Sequence, residues 1–259
     1  MTKIFLFPGQ GSQKKGMGEG LFEQFPAETR AASDILGYDL KDLCLNDPSA
    51  QLDNTAFTQP ALYAVNALTY LSKVKTSGEP NFVAGHSLGE YDALLAGGAF
   101  DFATGLRLVQ KRGELMARQT GGAMAAVIGL DTDKIVAVIQ NGGYEIDVAN
   151  FNSDGQIVVS GRKEHVEKAK AEFEAAGARM VVLLKVSGAF HSRLMKDAEN
   201  EFASFLSGFT FSPLRIPVIA NVTAAPYSNS EIKQNLTKQI SSSVRWIETI
   251  QYLMDQPDP

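Results

Sequence analysis

Short apolar runs and amphipathic stretches alternate along the chain, and this pattern predicts strands separated by helices. Residues 3–7 and 81–84 are mostly apolar runs of strand length, and a glycine-rich turn follows each of them. Residues 59–75 and 101–118 carry apolar side chains at helical spacing. Alternating strands and helices of this kind are typical of a large α/β domain.

The pattern changes in the middle of the chain, where strands become more frequent. The predicted elements there are a strand at 123–129, a helix at 131–140, strands at 144–150 and 156–160, a helix at 162–176 and a strand at 179–186. Their β-α-β-β-α-β order is that of the ferredoxin-like fold. We therefore expect a ferredoxin-like subdomain at 123–187, inserted into a large α/β catalytic domain made of 1–122 and 188–259. A strand near 216–221 and a helix starting near Val244 belong to the large domain.

Composition excludes several classes of protein. The 259 residues are 44% hydrophobic, which is enough for a substantial core. The net charge is -5 and the basic residues are scattered, so we expect no nucleic-acid binding. No apolar stretch approaches the roughly 20 residues that span a membrane. Cys44 is the single cysteine and there are three histidines, which fits a cytoplasmic protein without disulfides or a metal site.

The segment Gly85-His86-Ser87-Leu88-Gly89 matches G-x-S-x-G between a predicted strand and a predicted helix. In this arrangement the serine lies on a sharp turn that exposes its hydroxyl above the sheet. The N–H of the next residue, Leu88, then points at any oxyanion that forms on attack. We interpret Ser87 as a nucleophile. The alternative is a serine that only caps a glycine-rich helix N-terminus.

Of the three histidines, only His191 is a good candidate for the base. His86 adjoins Ser87, so its side chain is expected to point away from the hydroxyl proton and to line the pocket or pack. His165 is on a charged helix, beside the apolar stripe, and is predicted to be solvated surface. His191 lies on a loop after the strand at 179–186, where catalytic groups are common. No acid between the serine and this histidine is marked as a third member, which favours a Ser–His dyad.

Arg112 interrupts the apolar face of the helix predicted at 101–118. That face consists of Leu108, Val109, Leu115 and Met116. An inward-facing guanidinium needs an anionic or multiply hydrogen-bonding partner, because burying it unpaired is costly. Its planar fork pairs with a carboxylate through two bonds. The residues alone leave two partners equally open, an internal acid and the free carboxylate of a substrate.

The turn Pro-Gly-Gln-Gly-Ser-Gln at 8–13 does not fit a nucleotide-binding motif. G-x-G-x-x-G needs glycine where the sequence has Lys14, and Gly16 is followed by Met17 instead of the lysine of a P-loop. The turn can still supply a second oxyanion donor, the backbone N–H of Gln10.

Eight segments spread over nearly the whole chain form a specific set. They are PGQGSQ (8–13), FTQPAL (57–62), GHSLGE (85–90), KRGELM (111–116), ANFNSDGQIVVSG (149–161), SGAFHS (187–192), NVTA (221–224) and QISSSVRW (239–246). Together they resemble the malonyl-CoA:acyl-carrier-protein transacylases of fatty acid synthesis and the acyltransferases of polyketide synthases. GHSLGEY, KRGELM and SGAFHS are most similar to free-standing acyltransferases of trans-acyltransferase polyketide pathways.

The resemblance implies a role for each matching position. Ser87 is the acylated nucleophile and His191 its base, and the backbone N–H groups of Gln10 and Leu88 form the oxyanion hole. Arg112 holds the malonyl carboxylate. The other implied site residues are Gln239, whose backbone carbonyl orients the histidine, Gln59, His86, Asn150 and Asn152, which line or support the pocket, and Phe190, the bulky residue associated with malonyl over methylmalonyl units.

The implied fold is a large α/β-hydrolase-like domain with a parallel sheet, which carries the ferredoxin-like subdomain. The implied activity is ping-pong transfer of malonyl from malonyl-CoA to the phosphopantetheine thiol of an acyl carrier protein, for polyketide (including antibiotic) or fatty acid synthesis. We expect a cytoplasmic monomer with no bound cofactor or metal, since the partner brings the phosphopantetheine, and with no membrane contact.

Two other functions are weighed against this one. An acyl hydrolase that clears carrier proteins is disfavoured by Arg112, because a hydrolase of simple acyl chains needs no carboxylate clamp. A non-enzymatic module that docks carrier proteins is disfavoured by the intact set of Ser87, His191 and Arg112.

The sequence departs from the family's pattern at one point. Members usually continue past the tryptophan helix into a Gly-Pro-Gly segment and a last helix, whereas this sequence ends at Asp258-Pro259. We therefore expect some packing, and part of the pocket wall, to differ from the family.

Overall fold

A computed structural model describes residues 2–186 and 188–257. Ser187, which begins the SGAFHS segment and closes the predicted subdomain, and the terminal Asp258 and Pro259 lie outside the described residues. The strands of the described part are β1 (Ile4–Phe7), β2 (Phe82–Gly85), β3 (Gly122–Ile128), β4 (Ile146–Ser153), β5 (Gln156–Arg162), β6 (Met180–Leu183) and β7 (Val218–Ile219).

Helices make up most of the remaining described structure. They are α1 (Leu21–Gln24), α2 (Pro26–Leu36), α3 (Leu40–Leu45), α4 (Thr55–Ser77), α5 (Gly89–Gly97), α6 (Phe102–Ala117), α7 (Thr132–Asn141), α8 (Lys163–Ala175), α9 (Lys196–Leu206), α10 (Ile232–Gln239) and α11 (Trp246–Met254). Within residues 2–186 and 188–257, none of the helices is both long enough and apolar enough to cross a membrane.

The first sheet is parallel and has the order β1-β2-β7. Successive side chains of a strand point to opposite faces, so the central strand contributes to two cores. Val83 enters the main core of the molecule. Ala84 packs in a small cluster with Ile219 and Leu253. Phe7 is paired with Gly85 at the carboxyl ends of β1 and β2, and the turns that follow these strands therefore emerge side by side.

The second sheet is antiparallel and has the order β4-β5-β3-β6. Together with α7 and α8 it forms the predicted β-α-β-β-α-β unit with its own apolar core, which includes Val127, Val159 and Phe173. On the opposite face, Met124 and Val158 join the main core. The fold class predicted from the sequence, a parallel sheet plus a separate ferredoxin-like unit, is confirmed.

Several elements differ from the sequence expectations. The strands predicted at 179–186 and 216–221 are only four and two residues long, as β6 and β7. Helices α1–α3, α9 and α10 were not predicted. Most of these helices are short, and short helices depend on packing against neighbours more than on their own propensity. Their existence is therefore a tertiary effect that a local pattern shows only weakly.

The turn between β2 and α5 is held by backbone packed directly on backbone. A Cβ atom added at Gly89 would lie 2.2 Å from the carbonyl oxygen of Phe7. One added at Gly85 would lie 1.9 Å from the carbonyl group of Gly89. Both distances are far below van der Waals contact, so only glycine fits. The glycines of G-x-S-x-G thus let α5 start against the end of β1.

We expect Gly89→Ala to lower the free energy of unfolding by about 3 kcal/mol or more, because the added methyl group meets a fixed carbonyl oxygen. Gly155→Ala is the matched control, since an added Cβ there has no atom within 4 Å. The control should stay within about 0.5 kcal/mol of the unaltered protein. Urea denaturation followed by circular dichroism measures both values, and equal stability of the two variants would refute this account of the turn.

Candidate active site

A small pocket of about 160 Å³ lies at the carboxyl ends of the parallel strands. Nine of the residues predicted for the site line it: Gln10, Gln59, His86, Ser87, Arg112, Asn150, Asn152, Phe190 and His191. Its apolar wall is made of Met116, Met124, Val158, Leu184 and Val186, together with Phe190. The two other predicted residues, Leu88 and Gln239, are fully buried beside the pocket. The structure therefore brings the predicted set together.

Ser87 occupies the sharp turn between β2 and α5 in a conformation that is rare for serine. Its φ angle is +49°, in the left-handed region, which costs free energy for a residue with a side chain. Asn221 holds this turn from the end of β7. Its Oδ1 accepts a hydrogen bond from the Ser87 N–H at 2.7 Å, and its Nδ2 donates to the Gly85 carbonyl at 2.7 Å.

The Ser87 hydroxyl and the His191 imidazole form a hydrogen-bonded pair. Ser87 Oγ lies 2.7 Å from His191 Nε2. On the other side of the ring, Nδ1 lies 2.9 Å from the backbone carbonyl oxygen of Gln239 and 3.1 Å from that of Ser242. Carbonyl oxygens only accept, so Nδ1 carries the proton and Nε2 is free to accept the serine proton.

His191 is kept neutral by its surroundings. It is 4% exposed, and burial, helped by the nearby positive charge of Arg112, lowers the pKa of His191 to about 3. The two backbone carbonyls act in the opposite direction. Its φ angle is +57°, so this residue too has left-handed backbone. The histidine is therefore unprotonated at neutral pH, as a general base has to be.

Arg112 lines the pocket, and its charge is not neutralised by any acid of the described residues. It is 1% exposed, and burial lowers the pKa of its guanidinium, which nevertheless stays charged at neutral pH. Nη1 donates to Gln59 Oε1 at 2.7 Å, and Nη2 donates to Gln239 Oε1 at 2.9 Å and to Ser87 Oγ at 3.0 Å. Among the described residues, no carboxylate oxygen lies within 4.0 Å of the guanidinium, and its Nε has no partner.

Two backbone N–H groups next to the serine are available to a ligand. Leu88 directly precedes α5, and Gln10 is in the turn after β1, next to which the β2 turn emerges. Neither N–H donates a hydrogen bond to another group in the described part of the chain. The Gln10 side chain points elsewhere, since its Nε2 donates a hydrogen bond to Thr55 Oγ1 at 3.1 Å. This arrangement suits an oxyanion, which needs N–H donors without competing acceptors.

His86 forms one wall of the pocket and points away from the serine proton. Its Nε2 lies 2.8 Å from Asn152 Oδ1 and 3.4 Å from Asn150 Nδ2. Its ring packs edge-on against Trp246 with 5.3 Å between centroids. Burial lowers the pKa of His86. Both alternatives considered for this residue, lining and packing, therefore apply. No group of three His, Cys, Asp or Glu side chains able to hold a metal occurs in the described residues.

The prediction that His165 is solvated surface is wrong. Its side chain is only 23% exposed, and its Nδ1 accepts a hydrogen bond from the Glu145 backbone N–H at 2.9 Å. The sequence reasoning also assigned no role to Asn221 and Ser242. Both lie inside the quoted segments NVTA and QISSSVRW, so the signal was present without a physical reason to single them out.

Comparison with known proteins gives close relatives over the whole chain. Residues 4–258 match the family described as acyl transferase domain. The chain is 54% identical over 257 residues to the polyketide biosynthesis malonyl CoA-acyl carrier protein transacylase BaeC of Bacillus velezensis, covering 97% of this chain and 88% of BaeC. It is 53% identical over 253 residues to the polyketide biosynthesis protein PksE of Bacillus subtilis, covering 96% of this chain but only 33% of PksE.

Solved structures also resemble this chain. One is PlMCAT:AntF (holo), a type II PKS acyl-carrier protein in complex with its malonyl-transacylase. It has a TM-score of 0.93 and 39% sequence identity, and the match covers 99% of this chain and 86% of that chain.

We expect His191 to remain neutral, with its proton on Nδ1, from pH 8 down to pH 5. Burial and Arg112 disfavour the charged ring, so protonation begins only as the pH approaches about 3. Nitrogen chemical shifts of the imidazole in ¹⁵N-histidine-labelled protein measure both the tautomer and the pKa. A midpoint between pH 6 and 7, or a proton on Nε2, would contradict the geometry.

Proposed function

The chain belongs to the acyl transferase domain family, and from that premise we propose that it transfers malonyl from malonyl-CoA to the phosphopantetheine thiol of an acyl carrier protein. The family expected from the sequence motifs is thus confirmed. One observation carries the choice of malonyl. The guanidinium of Arg112, without a carboxylate partner among the described residues, lies 3.0 Å from the hydroxyl of Ser87.

The first half-reaction acylates Ser87. His191 Nε2 takes the hydroxyl proton while Oγ attacks the thioester carbonyl carbon. The oxyanion of the tetrahedral intermediate is bound by the N–H groups of Gln10 and Leu88. As the carbon–sulfur bond breaks, the thiol of CoA leaves with the proton from the imidazolium. The Gln239 and Ser242 carbonyls stabilise that imidazolium and keep the ring in the productive tautomer.

The second half-reaction reverses these steps with a different thiol. The phosphopantetheine thiol of the carrier protein gives its proton to His191 and attacks the ester carbonyl carbon. The same two N–H groups bind the second oxyanion. The bond to Ser87 Oγ then breaks, and Oγ recovers a proton from the imidazolium. The enzyme returns to its starting state, and neither half-reaction needs a metal ligand or a bound cofactor.

Arg112 selects an acyl group that carries a free carboxylate in two ways. The carboxylate carbon of a malonyl ester is three bonds from Ser87 Oγ, so a guanidinium that already contacts this oxygen can reach it. Pairing with the carboxylate also neutralises the positive charge that helps to keep the pKa of His191 low. The base therefore becomes stronger when malonyl is bound, and an acetyl group gains neither advantage.

The relatives support a pathway and a partner. BaeC is named a polyketide biosynthesis malonyl CoA-acyl carrier protein transacylase, and a neighbouring structure holds an acyl-carrier protein with its malonyl-transacylase. Our proposal therefore includes a trans-acting role in polyketide synthesis in the cytoplasm. It also includes the division into a catalytic domain (1–122 and 188–259) and a subdomain (123–187), whose junction forms the pocket.

We expect intact-protein mass spectrometry to show a malonyl-sized increase after the protein is mixed with malonyl-CoA. Ser87→Ala removes the only proposed attachment point and should show no increase. Addition of a holo carrier protein should move the adduct to the carrier. Rapid release of free acid from malonyl-CoA and acetyl-CoA alike, without transfer, would instead identify an acyl hydrolase.

Arg112→Ala should lower kcat/KM for malonyl-CoA at least about tenfold and leave acetyl-CoA loading unchanged or faster. Hydrogen bonds to charged groups contribute about 1.5–3 kcal/mol, and only malonyl makes them here. Arg107→Ala is the matched control, because Arg107 is on the exposed side of the same helix. Steady-state loading with the two substrates measures the effect, and unchanged malonyl preference would make Arg112 structural.

A further inference from the structure

A buried carboxylate, Glu90, lies directly behind the active site. It is 0% exposed, in the first turn of α5. Its Oε1 accepts hydrogen bonds from the Asn221 backbone N–H at 2.9 Å and from the Tyr227 hydroxyl at 2.6 Å. Its Oε2 accepts one from Gln239 Nε2 at 2.5 Å. Three donors from two separate segments of the chain thus converge on one acid.

Two of these three donors belong to residues that hold the Ser–His pair. Asn221 accepts the Ser87 N–H through its side chain. Gln239 touches three of the proposed catalytic and binding groups. Its Nε2 also donates to the Ser87 carbonyl at 2.7 Å, its Oε1 accepts from Arg112, and its backbone carbonyl accepts from His191. Glu90 is therefore one hydrogen-bonded residue away from all three groups.

We propose that Glu90 is a positioning residue that sets the geometry of Ser87, His191 and Arg112 through Asn221 and Gln239. It does not line the substrate pocket, so it acts only through these two residues. Its predicted effect on malonyl transfer rests on the proposed function, whereas its effect on the reactivity of Ser87 does not.

The carboxylate fixes which way the Gln239 amide faces. Because an ionised Glu90 can only accept, its Oε2 takes an N–H of the amide, and the amide oxygen then faces Arg112. If the amide turned over, its NH2 group would face the guanidinium, donor against donor, and the hydrogen bond to Ser87 would be lost. A neutral glutamine at position 90 removes this selection, since its own NH2 group can take the place of Oε2.

The same arrangement explains why Arg112 is charged but not neutralised. The Gln239 side chain lies between the two charged groups, donating to Glu90 and accepting from Arg112. The negative charge lowers the cost of burying the guanidinium without occupying its fork. Burial raises the pKa of Glu90 to about 7 although its three hydrogen bonds and the charge of Arg112 oppose the shift, so the acid is mainly ionised above that pH. An acid kept at such a cost is typical of a functional position.

The test is Glu90→Gln, studied in the full chain with two readouts. The first is the rate at which a fluorophosphonate labels Ser87, which needs the Ser–His pair but no malonyl. The second is loading from malonyl-CoA and acetyl-CoA. We expect labelling and both kcat values to fall about 10- to 100-fold, in line with the loss of a hydrogen bond to a charged group. KM for acetyl-CoA should stay within about twofold, because acetyl has no carboxylate for Arg112.

The matched control is Asp92→Asn. Asp92 is a second fully buried acid of α5, and its side chain is hydrogen-bonded to Asn66 and not to the residues around Ser87. The control should label and load at rates within about twofold of the unaltered protein. Equal losses in both variants, or normal rates in a folded Glu90→Gln protein, would overturn the proposal.

A second variant keeps the test decisive if Glu90→Gln does not fold. Tyr227→Phe removes one of the three donors and leaves Gln239 in place, so labelling should slow by a smaller factor, about two- to tenfold. An unchanged rate in that folded variant would then count against Glu90. If the unaltered protein does not load malonyl but Glu90→Gln still slows labelling, the proposed function fails and the positioning role stands.

Discussion

A guanidinium buried without a carboxylate partner among the described residues is the constraint on which the active site depends. Arg112 is held by the side-chain oxygens of Gln59, Gln239 and Ser87, which orient its fork but do not cancel its charge. Close packing of α4 on α6 makes this possible, since a Cβ at Gly113 would lie 3.1 Å from a backbone oxygen of α4. Because an unpaired buried charge is costly, a site of this kind is matched to an anionic ligand.

The same charge determines the properties of its neighbours. It helps to hold the pKa of His191 low, so that the ring is neutral and can accept a proton. It also donates a hydrogen bond to Ser87 Oγ, so the guanidinium lies next to the hydroxyl. The proposed nucleophile, base and specificity determinant are therefore parts of one electrostatic unit.

Backbone strain at two positions is stabilised by groups distant in the chain. Ser87 and His191 both have positive φ, and each is fixed by hydrogen bonds to the segment 221–242. Asn221 holds the serine turn, and the carbonyls of Gln239 and Ser242 hold the imidazole. The parallel sheet thus presents Ser87 at its carboxyl edge, while Met124 and Val158 of the antiparallel sheet contribute part of the apolar wall of the pocket.

The sequence by itself determined whatever depends on a few neighbouring residues. G-x-S-x-G predicted the turn because Gly85 packs on Gly89, only four positions away. The helical spacing placed Arg112 on a buried face, and element order predicted the ferredoxin-like unit. Only the tertiary structure decided the partner of each buried polar group. Arg112 could have met an internal acid, and His165 was wrongly expected in solvent. The convergence of Asn221, Gln239 and Glu90 joins residues up to 149 positions apart, and such contacts depend on packing that no local pattern encodes.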